Sequence, residues 1–344
     1  MSISDEATRN AWADHSRTFS DFRFVYPVIS RRAKGLSIGV NCTPNKTCNF
    51  NCIYCQVDRE SLKIPPKPLS SNTEFLETTA NPHKTNPFTV RPCRSVGSDD
   101  LLTSSSEPII DRTSPVDCKF PSVNDIILEL RELLSLYHKD KLAEHFYGVP
   151  EQNRILKDIA LSGDGEPTIY PHFAELCEEL LKIQDECPDN PKLTLITNAT
   201  QISPDNKKVF RGLEFLTAKN GEIWGKLDAG TPEQLLLING FADLSLIENN
   251  LKFAASKFPL KIQTMLCKAK GKIPSEKELQ SYAEIVSRIY NGGNFEMGHL
   301  LEVQLYSVVR KTADSSVQPL PREFLEHLKE ILNDKIPNLP VEIF

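Results

Sequence analysis

The residues best suited to chemistry lie in one stretch, Asn41-Cys42-Thr43-Pro44-Asn45-Lys46-Thr47-Cys48-Asn49-Phe50-Asn51-Cys52-Ile53-Tyr54-Cys55. Cys48, Cys52 and Cys55 stand at C-x3-C-x2-C spacing directly after a β-rich run. Thiolates this close on one loop reach a single centre without help from distant segments, which suits a soft metal or an iron–sulfur cluster. Three ligands differ from four in their chemistry, because a 4Fe–4S cube held by three cysteines keeps one iron open to another ligand. The same residues carry two blander readings. Spacings of four and three fall on one face of a helix, where cysteines act as small buried hydrophobes, although Pro44, Asn49 and Asn51 oppose a buried helix face. With Cys42 as a fourth thiolate, the set becomes a structural zinc site of uncommon spacing and with no histidine close by.

Such a loop needs a frame. Strands are predicted at Leu36–Asn41, Asp158–Ser162, Lys192–Thr197, Glu222–Leu227, Leu260–Leu266 and Leu301–Tyr306. Most are near-continuous apolar runs, the pattern of a covered parallel sheet. Between them, Thr231-Pro232 with Gln234, Ser275 with Glu278 and Ser122 with Asp125 predict capped helix starts, and Ser203-Pro204 gives an N-cap followed by proline. Six β/α units with right-handed crossovers make either an open doubly wound sheet or an incomplete barrel. Glu60–Pro121 breaks the pattern, holding nine of the 24 prolines, nine serines and one glycine. Too little apolar area lies there to offset ordering entropy, so 60–121 reads as a flexible insertion.

Composition narrows the function classes. The chain has 344 residues and a net charge of −6, and no apolar run long enough for a membrane span. Met1–Ser20 lacks the apolar core of a secretory signal, and nine cysteines without such a signal fit thiols or metal ligands in a reducing, cytoplasmic setting.

The cysteine loop resembles the signature of the radical S-adenosylmethionine (radical SAM) superfamily, C-x3-C-x-aromatic-C, with Tyr54 in the aromatic position. Leu161-Ser162-Gly163-Asp164-Gly165-Glu166-Pro167-Thr168 is similar to that family's GGE motif, with Asp164 where a glycine is common. Ile196-Thr197-Asn198-Ala199 and Gly225-Lys226-Leu227-Asp228-Ala229 follow in the family's order. Within the superfamily the chain looks nearest to a compact group that includes tRNA wyosine-synthesis enzymes. The resemblance implies a partial (β/α)6 TIM-like barrel over 36–344 with a C-terminal helix, preceded by an N-terminal extension, 1–35. It also implies a 4Fe–4S cluster on Cys48, Cys52 and Cys55, and reductive cleavage of S-adenosylmethionine to a 5′-deoxyadenosyl radical that abstracts a substrate hydrogen. Tyr54, the Gly163, Asp164, Gly165 and Glu166 backbone, Asn198, Lys226 and Asp228 would then bind the cofactor. A flavodoxin or ferredoxin would supply the electron.

Other readings are weaker in residues. Gln304 and Arg310 end the sixth strand and are candidates to face the substrate, and Cys267 follows the fifth. Lys261, Lys268, Lys270 and Lys272, with Arg31, Arg32 and Lys34, suggest phosphate contacts and hence an RNA substrate. Activation of a glycyl-radical enzyme is a further alternative within catalysis. The non-enzymatic rival is a zinc- or redox-responsive protein using all four N-terminal cysteines. Metal analysis of anaerobically purified Cys42→Ala separates the classes: a three-thiolate cluster keeps its iron, whereas a four-thiolate zinc site loses its metal.

Overall fold

The computed structural model describes residues 3–13, 17, 19–57, 120–294, 298–310, 312 and 314–344. Nearly all of the 60–121 stretch, with Cys93 and Cys118, lies outside the described residues. The six apolar runs become strands β2 (Gly35–Val40), β3 (Leu156–Leu161), β4 (Lys192–Thr197), β5 (Glu222–Lys226), β6 (Pro259–Lys268) and β7 (His299–Ser307). They pair in parallel and in strict chain order. Three further strands escaped the sequence reading. β1 (Val25–Ser30) pairs antiparallel with β2, β8 (Gln318–Pro319) with β6, and β9 (Val341–Ile343) extends the parallel edge beside β7. Proline at position 27 disguises β1, which is an edge strand and so tolerates the missing donor.

Strand order chooses between the two architectures. A doubly wound sheet reverses direction at a switch point, which sends helices to both faces. Here the order never reverses, so right-handed crossovers place the intervening helices on one side and leave a lumen on the other. The path ends at β1 and β9 without closing, which makes a partial barrel. Its outer helices are α2 (Val123–His138), α3 (Phe173–Glu186), α4 (Lys207–Leu216), α5 (Pro232–Asn239), α6 (Leu244–Lys257), α7 (Glu276–Asn291) and α8 (Arg322–Lys335), after an N-terminal α1 (Ile3–Ala13). Among the described residues no helix is long and apolar enough to cross a membrane.

Period-two alternation separates the two faces of the sheet. Ile38, Ile159, Leu193, Leu195, Ile223, Leu260, Ile262, Val303 and Leu305 are buried in the main apolar core. The alternate residues are polar. Lys261 meets Glu222 at 3.4 Å and Glu302 at 3.1 Å, Lys192 meets Glu222 at 2.9 Å, and the Trp224 indole donates to Glu222. Lys261 is therefore committed to carboxylates and drops out of the cationic stretch proposed for phosphates.

The caps behave largely as their chemistry dictates. Ser275 and Glu278 form a reciprocal capping box, and Ser122 caps α2 through the Asp125 amide. Thr231 caps α5, but the Gln234 side chain accepts from Gly230, one residue before the expected partner. Ser203-Pro204 starts no helix: Ser203 accepts from the Asp205 amide in a turn, and Asn206 caps α4.

Helices α6 and α7 are joined by a two-pronged ion pair, Arg288 Nε to Glu248 Oε1 at 2.7 Å and Nη2 to Oε2 at 2.8 Å. Arg288, aided by Lys252, holds the Glu248 carboxyl down to about 2. A depressed carboxyl contributes stability above its unfolded pKa and loses it as pH falls through the folded value. Glu248→Gln should therefore lower Tm at pH 7 by about 2 °C and flatten the loss of stability between pH 5 and pH 2 in thermal melts.

Candidate functional site

The cysteine loop leaves β2 at Asn41 and is held by groups that other elements leave unpaired. Helix α5 ends with carbonyls that have no partner within the helix. Asn51 N–H donates to Asn239 O at 2.7 Å and Ile53 N–H to Ile238 O at 2.9 Å, so the loop closes the helix end. Gly240 makes this approach possible. It caps α5 in the left-handed region (φ 63°), and a Cβ there would stand 2.9 Å from Asn51 Cβ. On the other flank, Glu166 N–H donates to Thr47 O at 2.9 Å and Gly165 N–H to Thr43 Oγ1 at 3.1 Å.

Within this frame Cys48 is buried, and Cys52 and Cys55 are half-buried. Two buried amides point at sulfur: Asn198 Nδ2 lies 3.7 Å from Cys48 Sγ and Asn239 Nδ2 lies 3.2 Å from Cys52 Sγ. Burial, then Asp228 and Cys48, push the Cys52 thiol up to about 12, with Asn239 acting in the opposite direction. A thiol in such a place stays neutral until a bound cation displaces its proton to solvent.

Only His138, Cys187 and Asp189 among the described residues bring three ligand atoms within 4.8 Å of one another. Three thiols on one loop, with amides aimed at two of them, are a donor set that would suit an iron–sulfur cluster. Cys42 stands apart from the solvent-reached side of the loop. It is fully buried in the apolar core, its Sγ 4.0 Å from Pro167 O, and burial with Glu166 raises its pKa.

The Gly163–Glu166 segment ends β3 and packs on the cysteine loop. A Cβ on Gly163 would stand 2.2 Å from Asn41 Oδ1, and one on Gly165 would stand 2.1 Å from Thr47 O. The glycines thus admit the neighbouring loop. Asp164 accepts from Arg17 Nη1 at 2.7 Å and Asn41 Nδ2 at 2.8 Å, so its side chain is tied to protein groups. Glu166 is buried and accepts four hydrogen bonds, from Thr168 N, Thr168 Oγ1, Thr197 Oγ1 and Asn198 N. Burial raises its pKa against those donors. Asn198 donates to Asn49 Oδ1 and accepts from Thr200. These side chains and the Asp164, Gly165 and Glu166 amides are thus spent on protein partners that pre-organise the rim.

At the ends of β5 and β7 a second network forms. Tyr54 OH donates to Asp228 Oδ2, Asn239 Nδ2 donates to the same oxygen at 2.8 Å, and Lys226 meets Asp228 Oδ1 at 2.9 Å. Lys226 also donates to Tyr306 OH at 2.6 Å and lies 5.1 Å from the Tyr54 ring centre. Burial opposes the Lys226 charge, but Asp228 and Tyr306 outweigh it and hold the ammonium above its ordinary range. Burial, then Asp228, raise the Tyr54 phenol. Cys267 is buried with Ile238, Ala269 and Val317, and burial, then Asp228, push its thiol up to about 12. Gln304 is fully buried and accepts from Gln263, while Arg310 donates to Trp12 O.

The sheet order defines a partial parallel β/α barrel, with the cysteine loop after its first parallel strand. No family model matches the chain. Among curated proteins, a GTPase Obg of Brachyspira hyodysenteriae is 24% identical over 311 residues, 90% of this chain and 33% of that protein. A UPF0026 protein of Helicobacter pylori is 22% identical over 155 residues, 45% of this chain and 29% of its own. The chain spans about a third of the length of these relatives. Neither Gly225-Lys226 nor Gly271-Lys272 is followed by Ser or Thr, so the sequence contains no GTPase phosphate loop. Among solved structures, TYW1 with a lysine–pyruvate adduct is 15% identical, with 95% of this chain and 80% of that one covered and a TM-score of 0.49. Archaeal TYW1 is 17% identical (63% and 64% covered, TM-score 0.39). SuiB of Streptococcus suis bound to S-adenosylmethionine is 14% identical (66% and 44% covered, TM-score 0.42).

Sequence reading missed Asn239, Asn41 and Arg17. Asn239-Gly240 reads only as a helix stop, and Arg17 is distant in the chain from everything it touches. Because Glu166 accepts four donors, Glu166→Gln replaces two of its acceptor positions with N–H groups. The variant should unfold about 2–4 kcal/mol more easily in denaturant titrations.

Proposed function

We propose that this chain is a radical SAM enzyme, in which Cys48, Cys52 and Cys55 hold a 4Fe–4S cluster and S-adenosylmethionine binds beside it at the strand ends. The observation that carries this reading is the three-thiol set on one clamped loop, with the buried amides of Asn198 and Asn239 beside two of its sulfurs. When bound, the cluster and cofactor supply a carbon-centred radical that abstracts hydrogen from substrate.

The chain's own residues prepare that chemistry. Asn198 and Asn239 orient two sulfurs through their amides. Because the Asp164, Gly165 and Glu166 amides and the side chains there are tied to protein, the carbonyls of Gly163, Asp164 and Gly165 are the groups offered to the cofactor's amino group. Tyr54, fixed by Asp228 and Asn239, forms the wall next to Cys52 and Cys55. Lys226 stays protonated and, paired with Asp228, holds that carboxylate and the Tyr306 hydroxyl in place at the strand ends. Ile53, Tyr54, Cys267 and Val317 pack together and keep water from that side of the loop. A cytoplasmic flavodoxin or ferredoxin supplies the reducing electron.

Anaerobic reconstitution with iron and sulfide should give a reduced cluster visible by EPR, and 5′-deoxyadenosine from added cofactor. Cys52→Ala should lose both signals to background. Absence of 5′-deoxyadenosine from the wild type, or undiminished product from Cys52→Ala, refutes the reading.

A further inference from the structure

Next to the Lys226 network, a cleft opens between the β1–β2 turn and the end of β7. Its lining includes Arg31, Arg32, Tyr54, Met265, Tyr306 and Arg310. Two features of the cleft go unused in the mechanism above. First, Arg31 and Arg32 are adjacent, half-buried cations that meet no carboxylate among the described residues. Elsewhere the inward-facing cations are neutralised: Lys226 by Asp228, Lys261 by Glu222 and Glu302, and Arg17 by Asp164. Second, the Arg32 guanidinium is 4.9 Å from the Tyr306 ring centre and 5.8 Å from that of Trp224, which fixes its plane at the cleft wall.

Leaving two like charges side by side and partly desolvated is unfavourable unless an anion joins them. Burial, then Arg32, lower the Arg31 pKa, the direction expected of that conflict. Arginine's planar fork matches the paired oxygens of carboxylate or phosphate. Tyr306 connects the pair to the Lys226 network, since its ring faces Arg32 and its hydroxyl accepts from Lys226.

We infer that Arg31 and Arg32 form an oxyanion-binding site, and that the enzyme's substrate carries a carboxylate or phosphate group seated there. The assignment of the cleft to substrate rests on the radical-enzyme reading; the anion site itself does not.

The test is calorimetric titration of the reconstituted full chain with inorganic phosphate in one arm and succinate in the other. Saturable binding of at least one is expected, and the tighter arm identifies a phosphorylated or a carboxylate-bearing substrate. Arg31→Gln/Arg32→Gln should weaken that binding tenfold or more, and Arg32→Lys, which keeps the charge without the fork, by less. Arg211→Gln, an exposed cation on α4, should leave it unchanged, and circular dichroism establishes that each variant is folded. No saturable binding of either anion, or equal binding by the folded double variant, overturns the inference. Loss of binding in Arg211→Gln also overturns it, since the anion then senses only overall charge. Anion binding by wild type that forms no 5′-deoxyadenosine sinks the radical reading and spares the site. Product formation without anion binding does the reverse.

Discussion

The buried carboxylate of Glu166 decides how the rim of this barrel is built. Its two oxygens collect donors from the end of its own loop and from the end of the next strand, while its backbone amide reaches the cysteine loop. Three separate strand ends are thereby tied through one residue. A buried carboxylate survives in apolar surroundings only when its lone pairs are met. Satisfying Glu166 and positioning the loops are thus the same event, and the glycines on either side follow from it, since any Cβ would hold the loops apart.

Strict sequential winding supplies the second half of the arrangement. Because the order of β2 to β7 never reverses, each of these parallel strands delivers its final residues to one rim in chain order. The lumen can then be polar, with Lys192, Glu222, Lys261 and Glu302 compensating one another below and Lys226, Asp228, Tyr54 and Tyr306 above. Charge balance in the lower layer is internal. In the upper layer it extends toward the cleft, where Arg31 and Arg32 meet no carboxylate.

Much of this was legible in the sequence. The six parallel strands and three caps follow from apolar runs and from Ser or Thr placed before helices. The spacing of Cys48, Cys52 and Cys55 located the loop. What escaped depends on contacts between distant segments. Nothing local marks Lys261 as a lumen residue in place of a surface cation, because its carboxylate partners are on other strands. The Ser203-Pro204 signal misled because a turn and a helix start share the same side-chain-to-backbone bond, and only the later Asn206 cap extends into a helix. Proline hid β1, and two- and three-residue strands such as β8 and β9 carry too few residues to show alternation. Sequence order implied a barrel only through the family resemblance; periodicity alone left the doubly wound sheet open.

The contact between Asn51, Ile53 and the last carbonyls of α5 also joins two equilibria. A helix end that frays releases the loop, and a loop that loosens exposes the helix end to water. By thermodynamic linkage, whatever steadies the sulfurs must steady the final turn of α5 by the same free energy. Order in the cysteine loop and local helix stability are thus one property of the fold, shared across nearly two hundred residues of intervening chain.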